Sequence, residues 1–337
     1  MKFPIFLQKG DWIGVTAPSD GNRKEMDFAR LELACKNLLD AGYPTYLTPN
    51  VKKSDRGRSS IAPVRKSELM ELIQDDRIKS IVLAKGGDFL MEVLSLLDFD
   101  EIKNYPKWIQ GFSDSTSLLF VLTTGFDIAT MYSNHFNDFA ISPWHLSQQY
   151  NFELLKGNRI CQKSFDYYED DFHDKKNPAD GYEKDCPVRW KSFSNKAVVA
   201  EGRMIGGCMD VLLNLIGTRF DYVKRFVETY CEDGILWYLE SFSLDAENIT
   251  RGLWQMKEAG WFKYVRGFVF GRPCMFRSFL GYTYEEAVLS VLEEYNVPVI
   301  FDADIGHKGP QFTIVNGALA TVTCQDGRGT YQIQSWD

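Results

Sequence analysis

The stretch KWIQGFSDSTSLLF, residues 107–120, decides how the chain is read. An apolar run with strand character, PKWIQGF, stops at Gly111–Phe112. Ser113-Asp114-Ser115-Thr116 follows, and from Ser117 apolar residues return at helical spacing. A strand that turns within a few residues into a helix is the building unit of an α/β fold. Two roles are open to Ser113. Its hydroxyl can cap the helix by accepting from a free N–H. Alternatively the turn can expose the hydroxyl as a nucleophile, beside helix N–H groups suited to an oxyanion. The GxSxG pattern of the nucleophile elbow is absent, although Gly111 permits a close turn.

The same alternation extends in both directions. GDWIGVTAP reads as a strand and EMDFARLELACKNLLDAG as an amphipathic helix ending at Gly42. YPTYLTP, IKSIVLAKGG and DIATMYS read as further strands, and SELMELIQD, FLMEVLSLL and SLLFVLTTGF as helices between them. Such a series implies a parallel sheet covered on both faces, with ligands bound at the carboxyl ends of its strands. Residues 165–195 are polar, acidic and aromatic with little periodicity, which predicts a linker. Strand patterns resume in KAVVAEGRMIGG, GILWYLES, VRGFVFGR and NVPVIFDADIGH, and the chain closes with Gly-rich turns between short strands. The expectation is an α/β protein with a first domain at 1–164, a linker at 165–195 and a second domain at 196–337.

Composition narrows the function. The 337 residues are 45% hydrophobic and 25% charged, with a net charge of −8. An acidic chain is a poor match for nucleic acid or an anionic membrane, and neither is expected as a partner. No window approaches a membrane span and the first residues lack the core of a signal peptide, so a cytoplasmic location is expected. The seven cysteines form no CxxC pair, which points away from common zinc layouts and from a disulfide framework. Neither a metal nor another cofactor is expected.

A serine hydroxyl needs a base. Of four histidines, His173 lies in the charged linker, while His135 and His145 follow a strand of the first half. His307, in DADIGHKGP directly after an apolar strand, is the better site candidate. The base needs a carboxylate that orients it. Glu240 ends the apolar strand GILWYLE, where burial without a partner is costly. Asp302 and Asp304 compete for that role.

These segments together resemble the LD-carboxypeptidase family of serine peptidases, which includes muramoyl-tetrapeptide carboxypeptidases and microcin C immunity hydrolases. GFSD at 111–114, LES at 239–241 and DADIGH at 302–307 look like its three active-site segments. GDWIGVTAPS, KGGDF and GRMIGGCMDVLLNLIGT resemble further family segments in the expected order. The resemblance implies an N-terminal Rossmann-like domain carrying Ser113 as nucleophile, and a C-terminal barrel-like domain carrying Glu240 and His307. It also implies an oxyanion hole from the Gly87 and Asp114 amides, and a homodimer. Murein-cleaving members commonly have arginine where this chain has Lys85. The 127 residues from Ser113 to Glu240 (240 − 113) resemble the microcin immunity branch more closely.

The implied substrate is a small peptide or a peptidyl- or aminoacyl-nucleotide. A substrate carboxylate would want a cation, with Lys85 first and Arg203 and Lys308 behind it. A stacking surface could come from Phe89, Trp190 or Trp144, and Cys208 lies in a Gly-rich turn that can approach a ligand. The rival reading is a protein of the same fold that sequesters its ligand without turnover. A phosphate loop at KGGDF is a weaker rival, since GxGxxG and GxxxxGK[ST] are both missing.

Overall fold

A computed structural model describes residues 1–194 and 196–336; the expected boundary residue Asn195 and the final Asp337 lie outside them. The first strands are β1 (Trp12–Thr16), β2 (Thr45–Leu47), β3 (Ile78–Leu83), β4 (Trp108–Gly111) and β5 (Thr130–Tyr132). Then come β6 (Cys161–Lys163), β7 (Tyr167–Tyr168), β8 (Cys186–Pro187) and β9 (Lys191–Ser192). The remainder are β10 (Val198–Cys208), β11 (Ile235–Glu240), β12 (Val265–Gly271), β13 (Val299–Ala303), β14 (Ile314–Asn316), β15 (Leu319–Gln325) and β16 (Arg328–Ile333).

The first sheet has the order β2-β1-β3-β4-β5-β14. Its first five strands are parallel, joined by helices such as Glu25–Asp40 and Ala62–Gln74. The order reverses between β1 and β3, so a crevice opens outside their carboxyl ends. The turns after β1, β3 and β4, which carry Ser19, Gly87 and Ser113, meet at that end. The second sheet has the order β6-β16-β15-β10-β11-β12-β13-β9. Its centre, β10 to β13, is parallel and its flanks are antiparallel. The Trp190 N–H donates to Gly327 O at 3.0 Å, tying the approach to β9 to the β15–β16 turn and curling the sheet into a barrel-like form.

Two features depart from the sequence reading. The stretch 165–195 is not a bare linker. β9 pairs with β13, β7 pairs with β8, and Phe165, Val188 and Trp190 are buried. Its apolar residues are too widely spaced to give a period, yet these three join the hydrophobic core. The second departure is β14, which runs antiparallel to β5 in the first sheet although it lies far inside 196–337. The two sheets therefore exchange chain rather than divide it at one point.

Helix Thr116–Phe126, which follows Ser113, is buried on every side from Thr116 to Gly125. A helix apolar all round belongs between layers. Phe120 stacks on Trp261 at 5.3 Å, and Trp261 stacks on Trp237 of β11 at 5.7 Å. This packing sets the helix that follows Ser113 against the strand that ends in Glu240. Among the described residues, no helix is long and apolar enough to cross a membrane.

Trp190 tests the revised role of 165–195. Its Nε1–H donates to Asp304 at 3.0 Å and its ring packs 5.6 Å from Phe312. Trp190→Ala should destabilise the fold by about 3–5 kcal/mol in denaturant unfolding, as for other buried aromatics. A loss of only a few tenths would return this residue to the surface.

Candidate active site

The turn after β4 is strained at one residue. Ser113 has φ +62°, in the left-handed region that side chains other than glycine rarely adopt. A 3-10 turn, Ser113–Ser115, then leads into helix Thr116–Phe126. Ser115, not Ser113, occupies the N-cap position, and neither turn is capped by a side chain. Ser113 is therefore not the helix cap. It is only half-buried, and strain of this kind gathers at functional turns. Gly86 lets the turn after β3 come close: a Cβ there would lie 3.2 Å from Ser113 Oγ.

Glu240 is wholly buried at the end of β11, and both of its oxygens are used. Oε2 lies 2.9 Å from His307 Nδ1, and Oε1 accepts from the Tyr132 hydroxyl at 2.5 Å. The Tyr132 oxygen in turn accepts the Ser113 N–H at 3.2 Å. One phenol thus links the carboxylate of the second sheet to the serine turn of the first. Gly306, at φ +98°, brings the His307 loop in close; a Cβ there would sit 2.6 Å from Glu240 Oε2. Burial acts to lower the His307 pKa, but the adjacent Glu240 carboxylate outweighs it and the net shift is upward. Burial likewise holds Tyr132 as a neutral phenol, with the Glu240 charge reinforcing it.

No hydrogen bond joins Ser113 Oγ to His307 among the described residues. The two are connected through Phe112, whose ring is 5.2 Å from the His307 ring, and through Tyr132. A second imidazole stands close by: His135 stacks on Phe112 at 4.3 Å and accepts the Phe112 N–H at 3.3 Å. Burial, aided by the nearby His307, lowers its pKa to about 3, so it stays neutral.

Ser113, Gly87 and Asp114 line one cavity of about 400 Å³ together with Cys208 and Phe242. The Asp114 carboxylate accepts from Ser19 Oγ at 2.5 Å and from the Leu90 N–H at 2.9 Å. Its side chain thereby pins the turns after β1 and β3 to the serine turn. His307 lines a smaller space of about 100 Å³ with Lys308, Cys274 and Phe172. The Phe242 ring, 4.7 Å from the His307 ring, stands between the two.

Several residues expected to contact a ligand have partners within the protein. Lys85 is paired with Asp27 at 3.6 Å and does not line the large cavity. The Phe89 ring is covered by the Arg58 guanidinium at 3.5 Å. Trp190 is a core residue, and Trp144 donates its Nε1–H to Phe139 O inside the first domain. Arg203 pairs with Asp233 at 2.6 Å and Lys308 with Asp170 at 2.7 Å. Asp302 and Asp304 are engaged by Lys191 and Arg272, which leaves Glu240 as the partner of His307. Cys208 does line the cavity, but burial and then the Glu240 and Asp210 charges push its thiol pKa well up. It is a wall residue in its protonated form.

Sequence reasoning singled out neither Tyr132 nor Ser19, and it ranked His135 behind His307. Tyr132 and Ser19 each follow or end a strand of the first sheet, so the carboxyl-end rule could have singled them out once strand order was known. Among the described residues, no group of three or more His, Cys, Asp or Glu side chains is arranged to hold a metal ion.

The chain is similar to known proteins over most of its length. Residues 13–133 match the LD-carboxypeptidase N-terminal domain, and residues 201–322 the LD-carboxypeptidase C-terminal domain. The chain is 24% identical over 326 residues to a protein of Bacillus subtilis (strain 168) named "Probable murein peptide carboxypeptidase", covering 95% of this chain and 91% of that one. It is 25% identical over 331 residues to the microcin C7 self-immunity protein MccF of Escherichia coli, covering 94% and 91% respectively. The solved structure of MccF with aspartyl sulfamoyl adenosine has the same fold, with a TM-score of 0.81 at 20% identity over 99% of this chain and 98% of that one. With both domains matched in order, and a serine turn and a histidine–glutamate pair where those domains meet, the chain belongs to the LD-carboxypeptidase family of serine peptidases.

Proposed function

We propose that the protein hydrolyses an amide through Ser113, His307 and Glu240. The observation that supports this most is the buried Glu240 carboxylate, shared between His307 Nδ1 at 2.9 Å and a tyrosine that also holds the serine's own N–H. With Nδ1 held by Glu240, Nε2 of His307 remains to take the Ser113 proton. Ser113 Oγ attacks the carbonyl carbon as that proton moves. The tetrahedral oxyanion is held by the Gly87 and Asp114 N–H groups. The Ser113 N–H is not available for this task, because Tyr132 accepts it. Collapse expels the amine, which takes the proton from His307 and leaves an acyl-serine. Water then attacks that ester, with His307 again serving as base and then acid.

Tyr132 acts as a positioning residue in this reading. By donating to Oε1 it occupies one oxygen of the buried carboxylate and leaves Oε2 to the imidazole. The substrate is read as a peptide or aminoacyl-nucleotide amide. The names of the relatives support that choice: one is called a murein peptide carboxypeptidase, and MccF has been solved with an aminoacyl-sulfamoyl nucleotide.

Ser113→Ala should lower turnover on a murein tetrapeptide or an aminoacyl-sulfamoyl adenosine by roughly 10³-fold or more, as loss of a triad member does. Wild-type turnover in that variant would remove the serine mechanism. Because the neutral imidazole is the base and Glu240 raises its pKa, kcat/KM should rise with pH through a midpoint above the ordinary value of 6.5. His135, already neutral, should add no second limb in the neutral range. A profile flat between pH 5 and 8 would contradict His307 as base.

Tyr132→Phe should lower kcat by about 10–100-fold while KM changes little, since the hydrogen bond to the Glu240 carboxylate and the one accepted from the Ser113 N–H are both lost while the ring stays in place. Removing the phenol destabilises the state in which Glu240 is charged and His307 neutral most, so the acid limb should move to higher pH. An unmoved limb would reduce Tyr132 to packing.

A further inference from the structure

Hydrolysis divides the substrate between two sides. The acyl part stays on Ser113, whose turn lines the cavity of about 400 Å³, while the departing amine collects its proton from His307. The leaving group must therefore lie within reach of the imidazole, and the space that His307 lines is the small one of about 100 Å³. At ~30 Å³ for each water, that is about three waters' worth of room, which suits one short residue.

The walls of this space are charged. Two lysines line it, Lys308 directly after the base and Lys175 on the strap 169–175. Cys274 adds no charge, because burial pushes its thiol up to about 11. On the strap, His173 pairs with Asp185 at 2.7 Å, and Asp171 accepts from the Phe172 N–H at 2.7 Å. The two lysines differ in what holds them. Lys175 pairs with Glu169 at 2.6 Å, and both side chains are mostly buried, at 20% and 10% exposure. Lys308 pairs with Asp170 at 2.7 Å, but the lysine is 17% exposed and the aspartate 49%. A cation turned inward whose counterion stands half in water can exchange that counterion at little cost, since pairs with an exposed partner are weak.

The exchange needs only the Asp170 side chain to turn. The strap's backbone is anchored there: the Glu169 N–H donates to Gly309 O at 2.8 Å and the Asp170 N–H to Asp185 at 3.1 Å. Lys308 is held in place as well, since Arg272 donates to its carbonyl oxygen at 3.2 Å.

We propose that Lys308 holds the free carboxylate of the residue that leaves, and that Asp170 stands in that carboxylate's place until the substrate displaces it. This rests on the assignment of Ser113 as nucleophile and His307 as base, and deepens it by naming the leaving group as one small residue with a free carboxylate. Because Lys308 follows His307 directly, the carboxylate it holds belongs to the residue whose amine His307 protonates, so one residue is removed at a time. Lys308 thus takes the contact first expected of Lys85, which pairs with Asp27.

Two peptides test this with the full-length protein: a murein tetrapeptide with a free terminal carboxylate, and the same peptide ending in a carboxamide. Wild-type kcat/KM should favour the carboxylate by at least about tenfold, as a charge-assisted hydrogen bond does. Lys308→Met should raise KM for the carboxylate peptide and bring the two peptides to within about threefold. Asp170→Asn, which removes the competing charge at a half-exposed position, should lower that KM by about threefold or more and widen the preference. A purely structural ion pair would make both variants move the preference in the same direction, and that result would overturn the inference. Equal turnover of the two peptides by the wild type would overturn it too, as would cleavage of neither peptide when an aminoacyl-sulfamoyl adenosine is still cleaved; both results leave the serine assignment intact. Cleavage of none of the three compounds would overturn the serine assignment and this inference with it.

Discussion

The site depends on one wholly buried carboxylate, Glu240, finding a partner for each of its oxygens. Glu240 ends a strand whose residues are all buried, where an isolated charge would be neutralised or would unfold its surroundings. Two donors prevent that: the His307 imidazole on one oxygen and the Tyr132 phenol on the other. Each comes from a different part of the chain, and Tyr132 comes from the other sheet. The charge is thus held only when both sheets are docked, which couples assembly of the fold to assembly of the base.

The docking itself is apolar. The helix that starts at the serine turn is buried on all sides, and its Phe120 joins the Trp261–Trp237 stack against β11. The strand β14, supplied by the second half of the chain to the first sheet, adds backbone pairing to the same junction. These contacts leave little freedom for the serine turn to drift from Glu240. Gly86 and Gly306 supply the remaining closeness: a Cβ at Gly306 would collide with Glu240, and one at Gly86 would press tightly on Ser113.

Much of this could be read in the sequence. Alternating periods of two and 3.6 gave the parallel sheet, because its strands and helices are strongly patterned. Ser113, Glu240 and His307 could be singled out as candidates because each stands at, or a few residues after, the end of an apolar strand. The region 165–195 was misread because its buried residues, such as Phe165, Val188 and Trp190, are isolated among charges. The return of β14 to the first sheet was invisible, since three apolar residues carry no sign of which sheet they join. The partners of Lys85 and Phe89 were hidden for a related reason: Asp27 and Arg58 are distant in sequence and become neighbours only on folding. Tyr132 was hidden until pairing placed it opposite Gly111, one residue from the serine turn.

The claim at the centre is that Glu240 fixes His307 by its Nδ1 and leaves Nε2 to accept the serine's proton. With only four histidines in the chain, a ¹⁵N NMR titration of the labelled imidazoles tests this directly. His307 should hold its proton on Nδ1 throughout and titrate at Nε2 above the ordinary value of 6.5, while His135 does not titrate in the neutral range. A neutral His307 carrying its proton on Nε2, or one that titrates below the ordinary value, would contradict the arrangement.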